Sequence, residues 1–111
     1  MDDDYAEAVL DLVGAIPPGR AMTYGLIAEI VSDGLEAAGL PRRGGPRQVG
    51  AVLAQAGSGV PWWRVVNASG NPPARHLARA MEQLVAEGTP RSADGTRVRL
   101  RLAVWFPDEI D

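Results

Sequence analysis

The chain has 111 residues, which suffices for one domain of ordinary size and is too short for two. Hydrophobic residues make up 46% and charged residues 23%, close to the average of soluble globular proteins, so the composition argues against wholesale disorder. Cysteine is absent, which excludes disulfides, thiolate metal ligands and a cysteine nucleophile.

The net charge of −3 is distributed unevenly along the chain. Residues 1–11 hold five acids and no base, residues 102–111 hold three acids, and residues 12–101 hold eleven basic residues against six acids. All eleven are Arg, which suits bidentate contacts with phosphate or base edges, although a GC-rich genome explains the same bias. The central region is therefore compatible with a nucleic-acid partner.

The N-terminus is acidic and lacks the basic start and apolar stretch of a secretory signal. No run of residues approaches the roughly 18 apolar residues of a membrane span. We expect a cytoplasmic, nucleoid-associated protein without a membrane partner.

The first predicted helix covers about residues 4–15, where acids in the first turn suit the positive end of the helix dipole. The paired prolines of Ile16-Pro17-Pro18-Gly19-Arg20 cannot continue a helix, so this segment is predicted as a rigid turn. Thr23 is the expected N-cap of a second helix over residues 24–31. The segment 32–46 is rich in Gly and Pro and is predicted as a loop, with room for one helical turn at 35–38.

A third helix is predicted over residues 46–56, because proline is favoured at a first helical position and apolar residues follow at helical spacing. Residues 62–67 are aromatic and β-branched, which favours a short strand or wing. A fourth helix is expected over about 74–87, with Gly88 just beyond it. Alternating apolar residues at 98–102 indicate a weak strand. These elements predict a mainly α fold, a single winged-helix-like helix-turn-helix domain over residues 1–111.

Helix three carries the first candidate site. Arg47 lies at its N-terminus beside Gln48, and the small residues Gly50 and Ala51 would allow close approach to a DNA groove. Read alone, Arg47 is better explained as a solvated surface residue than as a DNA contact. The same caution applies to Arg42 and Arg43 in the preceding loop, which are candidates for phosphate contact or for simple solvation.

The tetrad Pro61-Trp62-Trp63-Arg64 carries the second candidate site, because two of the three tryptophans of the chain are adjacent. In a strand their indoles would face opposite sides, one filling the core and one presented for stacking on an unpaired base. Packing of both rings in the core or at its rim is the alternative.

At these residues the chain resembles the DNA-binding domain of O6-alkylguanine-DNA alkyltransferases. The similarity runs from about Val9 to Glu87. Four ordered blocks carry it: Ile16-Pro17-Pro18-Gly19-Arg20 with Thr23-Tyr24-Gly25, then Pro46-Arg47-Gln48-Val49-Gly50, then Pro61-Trp62-Trp63-Arg64-Val65-Val66-Asn67, and Glu87-Gly88. Repair enzymes of the family carry proline-cysteine-histidine-arginine at the third block, and their cysteine accepts the alkyl group. The silent branch, the alkyltransferase-like proteins, is known for tryptophan at the cysteine position, so Trp62 is similar to that replacement.

The resemblance implies roles for several residues. Tyr24 would help to rotate the target nucleotide at its phosphate, and Arg47 would fill the gap in the base stack as an arginine finger. Helix three would lie in the minor groove, and Arg64 would support the pocket or contact backbone. An inserted side chain and a receiving pocket must offset a flipping cost of a few kcal/mol.

The sequence departs from the family at three places. Trp63 replaces the histidine of the repair relay, whereas Glu87 matches its glutamate, and the silent branch usually keeps that histidine. Arg47 and Trp62 are about two residues closer than is typical, and the loop over residues 33–46 is longer than the family norm.

The leading hypothesis is a non-enzymatic, monomeric sensor that binds and flips O6-alkylguanine in double-stranded DNA and signals it to nucleotide excision repair proteins, without metal or cofactor. A winged-helix regulator or architectural protein without lesion specificity is the alternative. An enzyme with another nucleophile is less favoured, since Ser58 and Ser69 lie in flexible Gly/Ser loops and His76 has no adjacent acid or hydroxyl in an obvious triad order.

Overall fold

The computed structural model describes residues 3–107. The chain divides into two compact units. The first, which we call the three-helix unit, comprises the chain up to Ala15 together with Tyr24–Trp62. The second, the sheet unit, comprises Ile16–Thr23 together with the chain from Trp63 onward.

The three-helix unit contains α1 (Asp3–Ala15), α2 (Tyr24–Ala37) and α3 (Pro46–Ala56), and each helix packs against the other two. Its core is formed where apolar residues recur three or four positions apart and so fall on one face of each helix. The buried side chains are Tyr5, Val9 and Val13 of α1, Ile27, Ala28, Val31 and Leu35 of α2, and Val49 and Val52 of α3. Helices α2 and α3 with the connection between them form the helix-turn-helix.

The end of α2 corrects the sequence prediction, because the helix continues through residues 32–37, for which the sequence predicts a loop. Leu35 is 7% exposed and lies four residues after Val31, so it extends the buried face by one turn. Gly34 is exposed and costs about 1 kcal/mol inside a helix. Burial of a leucine contributes about 1.5–3 kcal/mol, which outweighs that cost.

The sheet unit is built around two short parallel strands, β1 (Met22–Thr23) and β2 (Val65–Val66). Met22 pairs with Val65 and Thr23 with Val66. The unit also contains α4 (Leu77–Ala86) and the short α5 (Leu100–Ala103). Ala21, Val66, Leu84, Val98 and Ala103 form its buried cluster, against which Trp63, Met81 and Leu100 pack.

Three details of the sheet unit differ from the sequence prediction. The strand predicted over 62–67 is confined to Val65–Val66, since Trp62–Arg64 forms a 3-10 turn, and it pairs in parallel with β1. The fourth helix begins with a separate 3-10 turn at Ala74–His76. The tail forms α5 instead of a strand, because Ala103 is buried while Leu102 is 58% exposed, so the alternating pattern does not correspond to an inner face.

The main features of the predicted fold are confirmed. The chain is mainly helical, with the helix-turn-helix in place and α3 at its predicted bounds. Gly88 follows α4 with φ +71°, the left-handed conformation expected of a residue just past a helix. Within residues 3–107, no helix is long and apolar enough to cross a membrane.

Candidate nucleic-acid interface

Arg47 lies in the first turn of α3 and is exposed. The helix begins sharply because Pro46 occupies its first position and Gly45 precedes it in extended conformation. The Oε1 atom of Gln48 accepts a hydrogen bond of 2.8 Å from the Gly45 amide, which satisfies one donor at the helix start. Gln48, predicted to contact DNA, thus also holds the turn that presents Arg47.

The two faces of α3 differ in size and chemistry. Val49 and Val52 are buried, whereas Ala51 and Ala54 are exposed and small. Glu and Asp are absent from α3, so Arg47 is its one charged side chain. A narrow face of this kind, with one cation at its end, can approach a polyanionic groove closely.

Tyr24 begins α2 and lies beside α3. A Cβ atom built on Gly50 would stand 3.9 Å from Tyr24 Cε1, in ordinary van der Waals contact. Burial raises the pKa of the half-buried Tyr24 phenol above 10.0, so its hydroxyl stays protonated at neutral pH. A neutral phenol can donate a hydrogen bond to a phosphate oxygen. The structure therefore brings Tyr24, Gly50 and the Arg47 end of α3 together.

Trp62 lies beyond the other end of α3. Its backbone amide donates to the Val60 carbonyl at 2.7 Å, and Pro61 between them is half-buried. A Cβ atom built on Gly57 would stand 3.8 Å from Trp62 Cβ and 3.4 Å from the Leu53 side chain. Trp62 therefore lies against Gly57, at the end of the helix. Arg47 and Gly57 are ten residues apart along the helical path, which corresponds to about 15 Å.

In the sheet unit, the Glu87 carboxylate joins three segments. It accepts hydrogen bonds from Trp63 Nε1 at 2.9 Å, from Arg64 Nε at 3.0 Å and Nη2 at 2.5 Å, and from the Gly19 amide at 3.3 Å. Arg64 also donates to the Ile16 carbonyl at 2.7 Å. The guanidinium carbon of Arg64 lies 5.4 Å from the centre of the Trp63 ring, within the range of a cation–π interaction.

Glu87 is held in its charged form. Burial would raise the pKa of its carboxyl, but hydrogen bonds from Arg64, Trp63 and Gly19 outweigh burial and lower the pKa below 4.5. The side chains of Arg64 and Glu87 are only 12% and 11% exposed, so solvent screens this ion pair weakly. The cluster fixes the Pro-Pro-Gly turn, the 3-10 turn and the end of α4 to one another.

The hydrogen bonds that Glu87 accepts from three other residues were not predicted, although the sequence contains a signal that Arg64 has a buried partner. Arg64 is the one charged residue between Val60 and Val66, and a guanidinium in so apolar a stretch requires a buried partner. The prediction that Trp62 and Trp63 face opposite sides of a strand is wrong, because both lie in the 3-10 turn. Trp63 packs on the buried cluster of the sheet unit. Arg64 donates to the Ile16 carbonyl and to Glu87.

Other predicted residues lie outside these clusters. Thr23 ends β1 directly before α2, the position expected of its N-cap. Arg42 forms ion pairs with Asp33 at 2.5 Å and Glu36 at 3.2 Å, and Arg43 donates to the Pro41 carbonyl. His76 is exposed just before α4. Among residues 3–107 there is no group of His, Asp or Glu side chains arranged to hold a metal ion.

This combination of a helix-turn-helix and the four sequence blocks defines a DNA-binding domain of the alkyltransferase type. Residues 4–89 match the family model for the DNA-binding domain of 6-O-methylguanine DNA methyltransferase, and the chain belongs to this family. The predicted resemblance to alkyltransferase-like proteins is confirmed.

Relatives and solved structures place the chain within the family. It is 39% identical to a DNA base-flipping protein of Escherichia coli K12, over 85% of this chain and 69% of the relative. It is 35% identical to a DNA base-flipping protein of Vibrio parahaemolyticus, over 95% and 99% of the two chains. The fold matches that of S. pombe Atl1 in complex with damaged DNA containing O6-carboxymethylguanine, with a TM-score of 0.72, 30% identity and coverage of 96% and 99%. A second S. pombe ATL structure in complex with DNA matches with a TM-score of 0.69 and 32% identity, over 96% of this chain and 98% of the other.

Proposed function

We propose that this chain is a non-enzymatic DNA-damage sensor that binds double-stranded DNA through the minor groove and flips O6-alkylguanine. The observation that carries the proposal is the arrangement around α3, in which Tyr24 packs beside Gly50 and Arg47 is presented at the helix start. Relatives named DNA base-flipping proteins, and a structural neighbour in complex with damaged DNA, support the same function.

Nucleotide flipping requires a filler for the gap and a separate place for the base, because the base swings out of the stack. Arg47 is exposed and unhindered enough to enter the stack, while Tyr24 can hold the rotated phosphate. Trp62 lies against Gly57, which is about 15 Å from Arg47 along the helical path, and supplies an aromatic surface for the extruded base. At this distance Arg47 can fill the gap in the stack while Trp62 receives the base.

The proposal excludes alkyl transfer. The chain contains no cysteine, and Trp62 stands where repair enzymes of the family carry theirs. Trp63 stands at the histidine position, and its indole donates to Glu87 instead of offering a basic nitrogen. The lesion is therefore retained rather than repaired, and we propose that a nucleotide excision repair protein receives it from a monomer of this chain in the cytoplasm.

The test is the ratio of affinities for O6-methylguanine and guanine duplexes of one sequence, measured by fluorescence anisotropy at a stated salt concentration. Preference for the lesion by about tenfold or more is expected from a pocket that selects the flipped base. Equal affinity for both duplexes would refute lesion sensing and favour a regulator or architectural protein. 2-Aminopurine placed opposite or beside the lesion would report flipping through its fluorescence.

A further inference from the structure

A groove in the sheet unit carries positive charge that the proposed lesion contacts do not use. Its volume is about 410 Å³, and among the described residues no acidic side chain lines it. Arg97, Arg99 and Arg101 line it together with Ser69 and Ser92. All three arginines are exposed.

Within the described part of the chain, the side chains of Arg99 and Arg101 have no partner, in contrast to those of Arg20 and Arg64. Arg20 donates to the Ala103 carbonyl, and Arg64 is paired with Glu87. Within residues 3–107, no hydrogen bond or ion pair engages the side chains of Arg99 and Arg101. Guanidinium groups left available in one groove are suited to a ligand with several acceptor oxygens.

The backbone beneath the groove is fixed before any ligand arrives. The Val98 amide donates to the Gly70 carbonyl at 2.8 Å, and the Arg99 amide donates to the Pro90 carbonyl at 2.9 Å. Gly70 has φ +86°, and a Cβ atom there would overlap the backbone of Val98, so only glycine permits this close approach. The arginine side chains therefore project from a rigid base.

One acid lies close to the groove without lining it. Asp94 accepts hydrogen bonds from the Ser92 hydroxyl at 2.6 Å and from the Thr96 hydroxyl at 2.8 Å, and it attracts Arg97. It offsets part of the Arg97 charge and engages the Ser92 hydroxyl. Arg99 and Arg101 thus provide most of the positive charge available to a ligand.

We propose that this groove binds the sugar–phosphate backbone of the duplex as a contact independent of the lesion. The choice of DNA as ligand rests on the proposed function, whereas the groove and its charge do not. A polyanion with regularly spaced phosphates can engage several guanidinium groups at once, and each neutralised phosphate releases condensed counterions. The groove adds affinity for any duplex and contributes nothing to discrimination of the lesion.

The test uses the full chain with Arg97, Arg99 and Arg101 all replaced by Gln. Affinities for O6-methylguanine and guanine duplexes are measured between about 50 and 200 mM salt. Both affinities are expected to fall by about tenfold or more, and the dependence of log K on log salt should flatten by about 2–3. The ratio between the two duplexes should not change.

Arg99→Gln and Arg42→Gln form a matched pair with equal charge change. Arg42 is held by Asp33 and Glu36, so its replacement should leave the salt dependence unchanged, whereas Arg99→Gln should flatten it by about 0.9. Circular dichroism of both variants checks the fold.

The proposal that the groove binds DNA would be overturned if the triple variant kept the affinity and the salt dependence of the wild type. A wild type that binds both duplexes equally would refute the proposed function but not the groove, since the salt dependence of the variants still reports on the groove.

Discussion

In the proposed function, Arg47 is the residue on which flipping most depends, since it is exposed in the first turn of α3 and the Gln48 bond to Gly45 holds the helix start without it. Arg47→Ala should weaken binding to an O6-methylguanine duplex by about tenfold or more, because nothing then fills the gap left in the stack. Fluorescence anisotropy measures the loss. Tyr24→Phe should have a smaller effect, as it removes one hydroxyl and keeps the ring beside Gly50.

The matched control for Arg47→Ala is Gln55→Ala, an exposed polar residue in the last turn of the same helix. Both variants should unfold at the wild-type temperature. Lesion affinity unchanged in Arg47→Ala, or reduced equally in both variants, would contradict a finger role for Arg47.

Trp62→Cys should show no alkyl transfer. A thiol needs a base to become a thiolate at neutral pH, and the neighbouring Trp63 offers only an N–H donor, which is bonded to Glu87. Transfer is measured by incubating the variant with a duplex carrying labelled O6-methylguanine and counting label on the protein. Any stoichiometric transfer would show that a histidine beside the cysteine is not required.

At the scale of elements, the Glu87 cluster holds a turn, a 3-10 turn and a helix end in one arrangement. Glu87→Gln should lower the free energy of unfolding at pH 7 by about 2–4 kcal/mol, because Arg64 keeps its buried charge and loses the ion pair. Urea unfolding measures this, with the exposed Glu82→Gln on α4 as the charge-matched control. An equal effect of both substitutions would contradict a specific role for the cluster.

The same variant has a defined pH dependence. The pKa of Glu87 is lowered in the folded state, so its contribution is present above 4.5 and is lost as the pH falls through the folded value. The difference in unfolding free energy between wild type and Glu87→Gln should therefore shrink when the pH is lowered from 7 to about 3. A difference that stays constant over this range would mean that the carboxylate charge does not contribute.

Two glycines, Gly44 in the connection between α2 and α3 and Gly34 within α2, offer a paired test. Gly44 has φ +82°, and a Cβ atom there would overlap the Tyr5 ring of α1, so Gly44→Ala should cost at least about 2 kcal/mol. Gly34 lies within α2, and a Cβ atom there would have no neighbouring atom within 4 Å, so Gly34→Ala should stabilise the chain by about 0.5–1 kcal/mol. Thermal unfolding of both variants gives the signs, and equal signs would contradict this account of the connection.

The elements that the sequence predicted well are those with local signals. Pro46 and the apolar spacing of Val49 and Val52 define α3 without reference to the rest of the chain. The end of α2 could not be predicted in this way, because Gly34 indicates a break and only the packing of Leu35 overrides it. The pairing of β1 with β2 joins residues more than forty positions apart, and two-residue strands carry no periodic pattern.

At the scale of the whole molecule, the residues of the candidate site also divide into those with a local sequence signal and those that packing brings together. Tyr24, Arg47 and Trp62 can be identified from sequence blocks, since their chemistry and order are visible in the chain. The Glu87 cluster and the arginine groove depend on residues that are distant in sequence, such as Gly19 with Glu87 and Gly70 with Val98. A local pattern such as Arg64 in an apolar stretch indicates that a buried partner is needed, but only packing decides which distant residue provides it.

The charge distribution of the chain leads to the last prediction. Phosphate contacts are the same in damaged and undamaged duplexes, so raising the salt concentration should weaken binding to both in parallel. In the proposed function the lesion preference comes from the flipped base, so it should stay within about twofold between 50 and 200 mM salt, despite a net charge of −3. Anisotropy titrations of both duplexes across this range measure the ratio. A preference that declines towards one as salt rises would mean that discrimination is electrostatic and that the aromatic residues near Trp62 do not receive the base.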